Sequence, residues 1–424
     1  MKRALKTLLS RWGASPAPTA ALLTAESQLR QVQSEFTAIR NLINLSRSPA
    51  LYSRPEDMHT ERLLAHPAIL PLPDLQLGSH PAQPNEARVA HAERLLAAYH
   101  QARASESSSP LRREAEDMWH HLLIKELPEL MALVEGQDAT RLAAYLLTFG
   151  QSFVWFGGIT TCLDGYNRNL DPQHVALTYF DKLVCIAESL GVLRHENPEQ
   201  GSWGQNLQQA PNLLVEKIEE VLGISISPPL GIIHTDGLQT GRGLFHYRHI
   251  NALYAATRIA GLLPTPGPIC EYGGGLGITA MYARRLGFTD YTLFDLPITC
   301  LLAGNYLIQA AGADAVTLYG EPTKQGTIQI LPYWECLNAA SQGYHLSLNQ
   351  DSFPEIAENL VAEYIQQIKR TTTQWFLSIN HECFDPMTVH HLIRRSEGFR
   401  KLYRTRCWAR EGYVEELYSL NTQP

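Results

Sequence analysis

Cysteine is scarce and scattered: the 424-residue chain has seven, at positions 162, 185, 270, 300, 336, 383 and 407, and no two form a C-x-x-C pair. An odd, dispersed set excludes a disulfide framework and the common structural zinc sites, and it fits a reducing cytoplasm. Positive charge is in deficit as well, with 35 Lys and Arg against 42 Asp and Glu and a formal net charge of −7. General nucleic-acid binders are normally basic, so no nucleic-acid partner is expected. An unbroken apolar run long enough to cross a bilayer is lacking too. The charge-free stretch from Leu142 to Leu163 is interrupted by Thr148, Gly150, Gln151, Ser152, Gly157, Gly158, Thr160 and Thr161. It reads as a buried helix ending near Gly150, followed by an aromatic-rich turn. The opening segment holds Lys2, Arg3, Lys6 and Arg11 with no acid before Glu26, yet Lys6 cuts its apolar run too short for a secretory signal. Leu5, Leu8, Leu9 and Trp12 share one helical face, which would let this basic segment touch an anionic membrane surface; docking on the protein itself is the simpler reading.

What is present is enough apolar material for a core, with 45% hydrophobic and 18% charged residues, 29 Gly and 25 Pro. That composition is globular, and the length predicts two or three domains. Helical periodicity marks residues 26–46 and 86–103 on either side of a passage holding Pro67, Pro71, Pro73, Pro81 and Pro84. Further helices are predicted at 112–135, 139–149, 174–190 and 211–222, the last closed by Gly223. After a helix at 247–260, short β-branched or aromatic runs alternate with helical stretches. The runs lie at 268–272, 291–294, 315–318, 328–331, 344–348 and 374–379, a pattern that predicts a parallel sheet with helical crossovers. The runs 399–407 and 413–420 are joined by a short connection containing Gly412 and predict a closing antiparallel hairpin. The expected divisions are a helical and Pro-rich region at 1–110, a helical domain at 111–245 and an α/β domain at 246–424.

The most informative segment is Pro268-Ile-Cys-Glu-Tyr-Gly-Gly-Gly-Leu-Gly-Ile-Thr279, a strand running into a glycine turn and then a helix. Such a turn lets a ligand approach the backbone, and the helix start offers unpaired N–H groups. Asp295, twenty-two residues beyond Gly273 at the end of the next strand, can accept both hydroxyls of a ribose. Gly275-x-Gly277-x-x-Ala280 satisfies the dinucleotide pattern G-x-G-x-x-A. Glu271-x-Gly273-x-Gly275-x-Gly277 instead resembles motif I of class I S-adenosylmethionine-dependent methyltransferases, and the closing hairpin resembles that family's last two strands. Phe294-Asp-Leu-Pro297, Leu348-Asn-Gln-Asp-Ser-Phe-Pro-Glu355 and Leu377-Ser-Ile-Asn-His-Glu382 are similar to segments of bacterial sugar O-methyltransferases. The resemblance covers roughly 230–424 and implies a Rossmann-like sheet, S-adenosylmethionine as cofactor, and a saccharide or other small-molecule acceptor. It implies that Glu271, Gly273, Gly274, Gly275, Gly277, Asp295, Leu296 and Gln350 hold the donor.

Methyl transfer to a hydroxyl is an in-line displacement that needs a base for the acceptor's proton. Two candidates stand at strand ends. His381 has a side chain whose ordinary pKa of about 6.5 suits proton removal at neutral pH, and Asp351 alternatively caps the helix expected near Pro354. Glu355 and Glu382 are candidates to join Asp351 around a divalent cation, since oxygen-rich clusters suit Mg²⁺, but the clustered acidic signature of metal-dependent relatives is missing and no metal is expected. His246, Tyr247, Arg248 and His249 open the helix before the glycine turn and are candidate acceptor contacts, with Arg242 or Arg248 suited to a carboxylate. Tyr333 and Trp334 offer aromatic faces to a sugar or adenine ring. A peptide or other natural-product acceptor, a non-catalytic scaffold and a nicotinamide-dependent oxidoreductase are the competing functions, and a homodimer is compatible with the chain.

Overall fold

The computed structural model describes residues 25, 28–33, 35, 62–63, 75–77, 84–113, 118–151, 154–156, 159–160, 172–197, 199–201, 203–229, 236–383 and 388–420. The basic opening segment and most of the helix expected at 26–46 lie outside these residues. The described helices are α1 (Glu86–Glu106), α2 (Met118–Glu126), α3 (Pro128–Glu135), α4 (Ala139–Thr148), α5 (Pro172–Ser189) and α6 (Pro211–Leu222), followed by α7 (Tyr247–Leu262), α8 (Ile278–Arg285), α9 (Pro297–Ala311), α10 (Glu358–Thr371) and α11 (Val389–Arg394). The strands are β1 (Leu75–Leu77), β2 (Trp155–Phe156), β3 (Ile159–Thr160), β4 (Asp236–Thr240), β5 (Gly243–Phe245), β6 (Ile269–Tyr272) and β7 (Tyr291–Asp295), followed by β8 (Val316–Leu318), β9 (Ile328–Pro332), β10 (Tyr344–Gln350), β11 (Thr372–His381), β12 (Arg400–Arg406) and β13 (Tyr413–Ser419).

The main sheet has eight strands in the order β12-β13-β11-β10-β6-β7-β9-β8. Pairing is parallel from β8 through β11, and β13 runs antiparallel between β11 and β12. The run of strands predicted a parallel sheet closed by an antiparallel hairpin, and the antiparallel strand inserted between β11 and β12 makes it the Rossmann-like sheet that the resemblance implies. β6 is buried at every position because helices cover both faces of the sheet. After β9 the chain crosses back over β6 to form β10. The order therefore reverses between β6 and β10, and a crevice opens outside their carboxyl ends.

The helical half departs from expectation in three places. The stretch expected as one helix over 112–135 is α2 and α3, because Pro128 has no N–H to continue α2 and instead opens α3 at its first position. The helical regions expected at 1–110 and 111–245 also contain a three-stranded antiparallel sheet, β1-β4-β5. Its β4–β5 turn is the two-residue Gly241-Arg242, between the paired Thr240 and Gly243, and strands this short are stabilised by pairing rather than by propensity. The helix expected to end near Gly150 stops at Thr148 and tightens into a 3₁₀ turn at Phe149–Gln151.

One apolar cluster runs from Leu95 in α1 through Leu146, Phe180 and Leu214 to Ile250, Leu307 and Leu377, so the helical half and the sheet share a core. A second, aromatic cluster covers the opposite face and includes Tyr272, Phe294, Phe353, Tyr364, Phe376 and Tyr418. No described helix is long and apolar enough to cross a membrane.

Candidate functional site

The crevice at the sheet reversal is a pocket walled by the glycine turn, the tips of β7 and β10, the start of α7 and the segment preceding α10. Gly273 turns the chain away from β6 with φ +68°, and its N–H donates to the carbonyl of Phe294 at 2.8 Å. A Cβ there would lie 2.3 Å from Oγ of Ser352, so only glycine combines the left-handed backbone with this approach. Gly273, Gly274 and Gly275 line the pocket. Gly277 does not: it starts α8, and its Cα faces Leu307 of α9, so its place is in packing rather than in ligand contact.

Two carboxylates flank the turn. Glu271 is 1% exposed, and its Oε2 accepts from the Tyr291 hydroxyl at 2.9 Å. Burial pushes its carboxyl up to about 7. Asp295 ends β7; its Oδ2 accepts from the Gly275 N–H at 2.9 Å and its Oδ1 from the Leu296 N–H at 2.7 Å. Burial pushes Asp295 up to about 6 against those hydrogen bonds. Leu296 and Gln350 line the pocket beside it. Among the described residues no arginine, lysine or histidine is paired with Glu271, so a buried carboxylate faces the pocket with only a neutral hydroxyl on it.

Beneath the turn the strand tips are stitched by amides. Asn349 Nδ2 donates to the Tyr272 carbonyl at 2.7 Å and to Ser352 Oγ at 2.6 Å, and Asn380 Nδ2 donates to Asn349 Oδ1 at 2.9 Å. This ladder joins β6, β10 and β11 and fixes where β10 releases Gln350 and Asp351. Asp351 has φ +64°, an uncommon conformation for a residue with a side chain. Its Oδ2 is 3.0 Å from Nη1 of both Arg248 and Arg410, and its Oδ1 accepts from the Tyr413 hydroxyl. Burial alone would raise this carboxyl, but Arg410 and Arg248 outweigh it and hold it below the usual carboxylate range.

That geometry recasts the candidate bases. Asp351 is a weak proton acceptor because both oxygens are engaged and the anion is stabilised. It is not a helix cap either: Pro354 lies in a 3₁₀ turn, Phe353–Glu355, that starts after Ser352 with no side-chain cap, and α10 begins only at Glu358, again with none. His381 ends β11 with its ring edge-on to Tyr413, Nδ1 3.0 Å from Sγ of Cys383 and Nε2 3.7 Å from Oε1 of Glu355. It stands behind the pocket wall, whereas Glu355 is on it. Single ligand atoms of Asp351, Glu355 and His381 lie within 4.8 Å of one another, but the guanidiniums of Arg248 and Arg410 occupy Asp351 and oppose a cation there. Glu382 is turned away, ion-paired with Arg404 at 2.6 Å.

No protein-family model matches the chain and no curated protein matches it. Several solved structures are similar to about 40% of the chain. A glycopeptide N-methyltransferase complexed with sinefungin is similar at 14% identity over 39% of this chain and 93% of that one, with a TM-score of 0.31. A Sulfolobus solfataricus protein named as a type 11 methyltransferase is similar at 13% identity, over 40% of this chain and 93% of that one, with a TM-score of 0.30. An Agrobacterium tumefaciens protein named as an O-methyltransferase is similar at 15% identity, over 41% and 81%, with a TM-score of 0.30.

Of the candidate acceptor contacts, Arg248 and Tyr333 line the pocket. His246 instead caps α7, its Nδ1 accepting from the Arg248 N–H at 3.2 Å. Tyr247 packs on Tyr179, and His249 is buried against Tyr282 and Tyr306. At about 100° per residue, α7 turns Arg248, Asn251 and Ala252 to the pocket and the neighbouring rings to the core. Trp334 is buried edge-on to Tyr333 and does not reach the pocket. Arg242 lies on the surface, 3.0 Å from Glu219. Sequence reasoning missed Arg113, Trp119 and Arg410, all of which line the pocket. They come from the helical half and from the β12–β13 turn, and no local spacing marks them.

The pocket carboxylates set a pH dependence. If Glu271 holds a cationic amino group and Asp295 accepts ribose hydroxyls, both acids must be ionised, and binding of S-adenosylhomocysteine should release protons and weaken as pH falls through about 7 and then about 6. Because both folded-state values are raised, the free protein conversely loses stability as pH rises through the same range. Calorimetry in buffers of different ionisation enthalpy should find proton release and a loss of affinity of about ten-fold or more between about pH 8 and pH 5. A pH-independent affinity would remove the carboxylates from the binding site.

Proposed function

We propose that this protein is an S-adenosylmethionine-dependent O-methyltransferase acting on a hydroxyl of a sugar or glycosylated metabolite. The observation that carries the reading is Glu271: a buried carboxylate, raised by burial and facing the pocket beside a glycine turn, with Asp295 at the next strand tip. A ligand with an amino cation at one end and a ribose at the other supplies what both acids lack. Phe294, Leu296 and Tyr364 give the pocket apolar surface for an adenine ring, and Arg248 on the pocket wall supports a contact to the amino-acid carboxylate. When bound, the donor supplies an electrophilic methyl group.

The chain's own residues then have to align an acceptor hydroxyl and remove its proton. Glu355 on the wall and His381 behind it form a pair suited to that task, in place of Asp351, which organises the two arginines. The polar rim of Gln350, Glu355 and Asn359, with Tyr333 and Trp119 nearby, supports a saccharide acceptor. The helical half supports the acceptor side, since Arg112, Arg113 and Trp119 reach the same pocket.

Calorimetric titration with S-adenosylhomocysteine and, separately, NAD tests the donor; binding of NAD alone, or of neither, ends the reading. Labelled-methyl transfer to a panel of saccharides and glycosides tests the acceptor. On a saccharide so methylated, His381→Gln and Glu355→Gln should each lower kcat by roughly 10²-fold or more and leave S-adenosylhomocysteine affinity within about two-fold. Full activity in both variants would place the base elsewhere.

A further inference from the structure

The turn between β12 and β13 delivers Arg410 and Tyr413 to Asp351, yet a helix of the other half of the chain holds that turn. Lys182, in the middle of α5 and 9% exposed, donates from Nζ to the Ala409 carbonyl at 3.0 Å and to Glu411 Oε2 at 2.8 Å. These contacts grip the residues on both sides of Arg410. Across the same turn the Trp408 ring meets His195 edge-on at 5.1 Å. The Cys407 N–H donates to the Tyr413 carbonyl at 3.0 Å, closing the turn at its base. Arg410 then lies over the Tyr413 ring at 3.5 Å with Nη1 on Asp351.

We infer that Lys182 is a positioning residue of the proposed site, acting through Ala409, Glu411 and Arg410 on Asp351, and through Asp351 on the floor beside Glu355 and His381. A lysine 9% exposed is costly to bury without partners, and both of these bonds go to the turn that supplies Arg410 to the pocket. The Asp351 backbone, held at positive φ with its N–H donating to the Ile379 carbonyl at 3.0 Å, is the element that gives way when the turn slackens. The inference rests on the methyltransferase reading for its chemistry but not for its geometry.

Hydrogen exchange on the full chain therefore tests it without an acceptor. In Lys182→Met the amides of Cys407 and Tyr413 and that of Asp351 should exchange roughly ten-fold faster, with β6 and the glycine turn unchanged. Lys182→Arg should restore slow exchange at Asp351, and Lys182→Met should add nothing to Arg410→Met at that amide. On a saccharide methylated in the panel, Lys182→Met should lower kcat by roughly ten-fold with the KM for S-adenosylmethionine unchanged. A loosened turn with an unmoved Asp351 amide, additive effects in the double variant, or a uniform rise in exchange over the whole chain would each overturn the inference. Should Lys182→Met not fold, Glu411→Ala removes one of the two grips and must produce the same local pattern. Failure of the unsubstituted protein to bind S-adenosylhomocysteine would overturn the donor reading alone, leaving the exchange result to decide the positioning.

Discussion

Asp295→Ala should weaken S-adenosylhomocysteine binding by roughly 10²-fold. The carboxylate sits at the tip of β7 across the pocket from the glycine turn, and hydrogen bonds to a charged acceptor are each worth about 1.5–3 kcal/mol. Two backbone donors already converge on it, from Gly275 and Leu296, so the alanine variant also leaves these N–H groups without their acceptor and loosens the turn. Asp295→Asn separates the two effects. It keeps the side chain's volume and one acceptor oxygen, so one of the two backbone N–H groups stays bonded and the turn loosens less than in the alanine variant, while affinity should still fall roughly ten-fold or more through the missing charge. Calorimetry reads the affinity and thermal unfolding reads the turn. Unchanged affinity in both variants would refute the ribose role.

Gly273→Val should be the most damaging single change in the pocket. A left-handed backbone costs a side-chain-bearing residue about 1–2 kcal/mol, and at φ +68° the new Cβ would lie 2.3 Å from Ser352 Oγ and 2.7 Å from its Cβ. Ser352 cannot withdraw freely, because its hydroxyl accepts from Asn349 and donates to the Tyr272 carbonyl at 3.2 Å. Overpacking of this kind adds about 1–3 kcal/mol. Donor binding should be abolished and the thermal midpoint lowered. Gly273→Ala combined with Ser352→Gly should recover part of the stability lost in Gly273→Ala alone, because it removes the collision and leaves the backbone strain. No recovery would mean that conformation, not crowding, dominates.

Much of the α/β half was legible because its signals are local. Every predicted strand from 268 to 420 is present with its ends shifted by no more than two residues, since β-branched and aromatic runs there are bounded by Gly, Pro and polar turns. Gly223 ends α6 in the left-handed conformation, as its position after the last apolar residue foretold. The glycine turn and its two acids were legible for the same reason: a strand, a tight turn and a helix start occupy contiguous sequence.

What could not be read was which way side chains face and what distant segments bring. His246, Tyr247, Arg248 and His249 are all plausible ligands by residue type, but one helix can turn only part of such a run to a cleft. Asp351 has the chemistry of a base, yet Arg248 and Arg410 arrive from segments 103 residues earlier and 59 residues later and stabilise it as an anion. By itself, then, the sequence determined the alternation that builds the sheet, the glycine turn, and the placing of Glu271 and Asp295 at adjacent strand tips, because these follow from backbone preferences within a few residues. Only the tertiary structure decided that Glu355 and His381 stand together, that Asp351 belongs to the arginines, and that α5 grips the turn carrying Arg410. Electrostatics and packing between remote segments are set by the whole fold and leave no mark in local spacing.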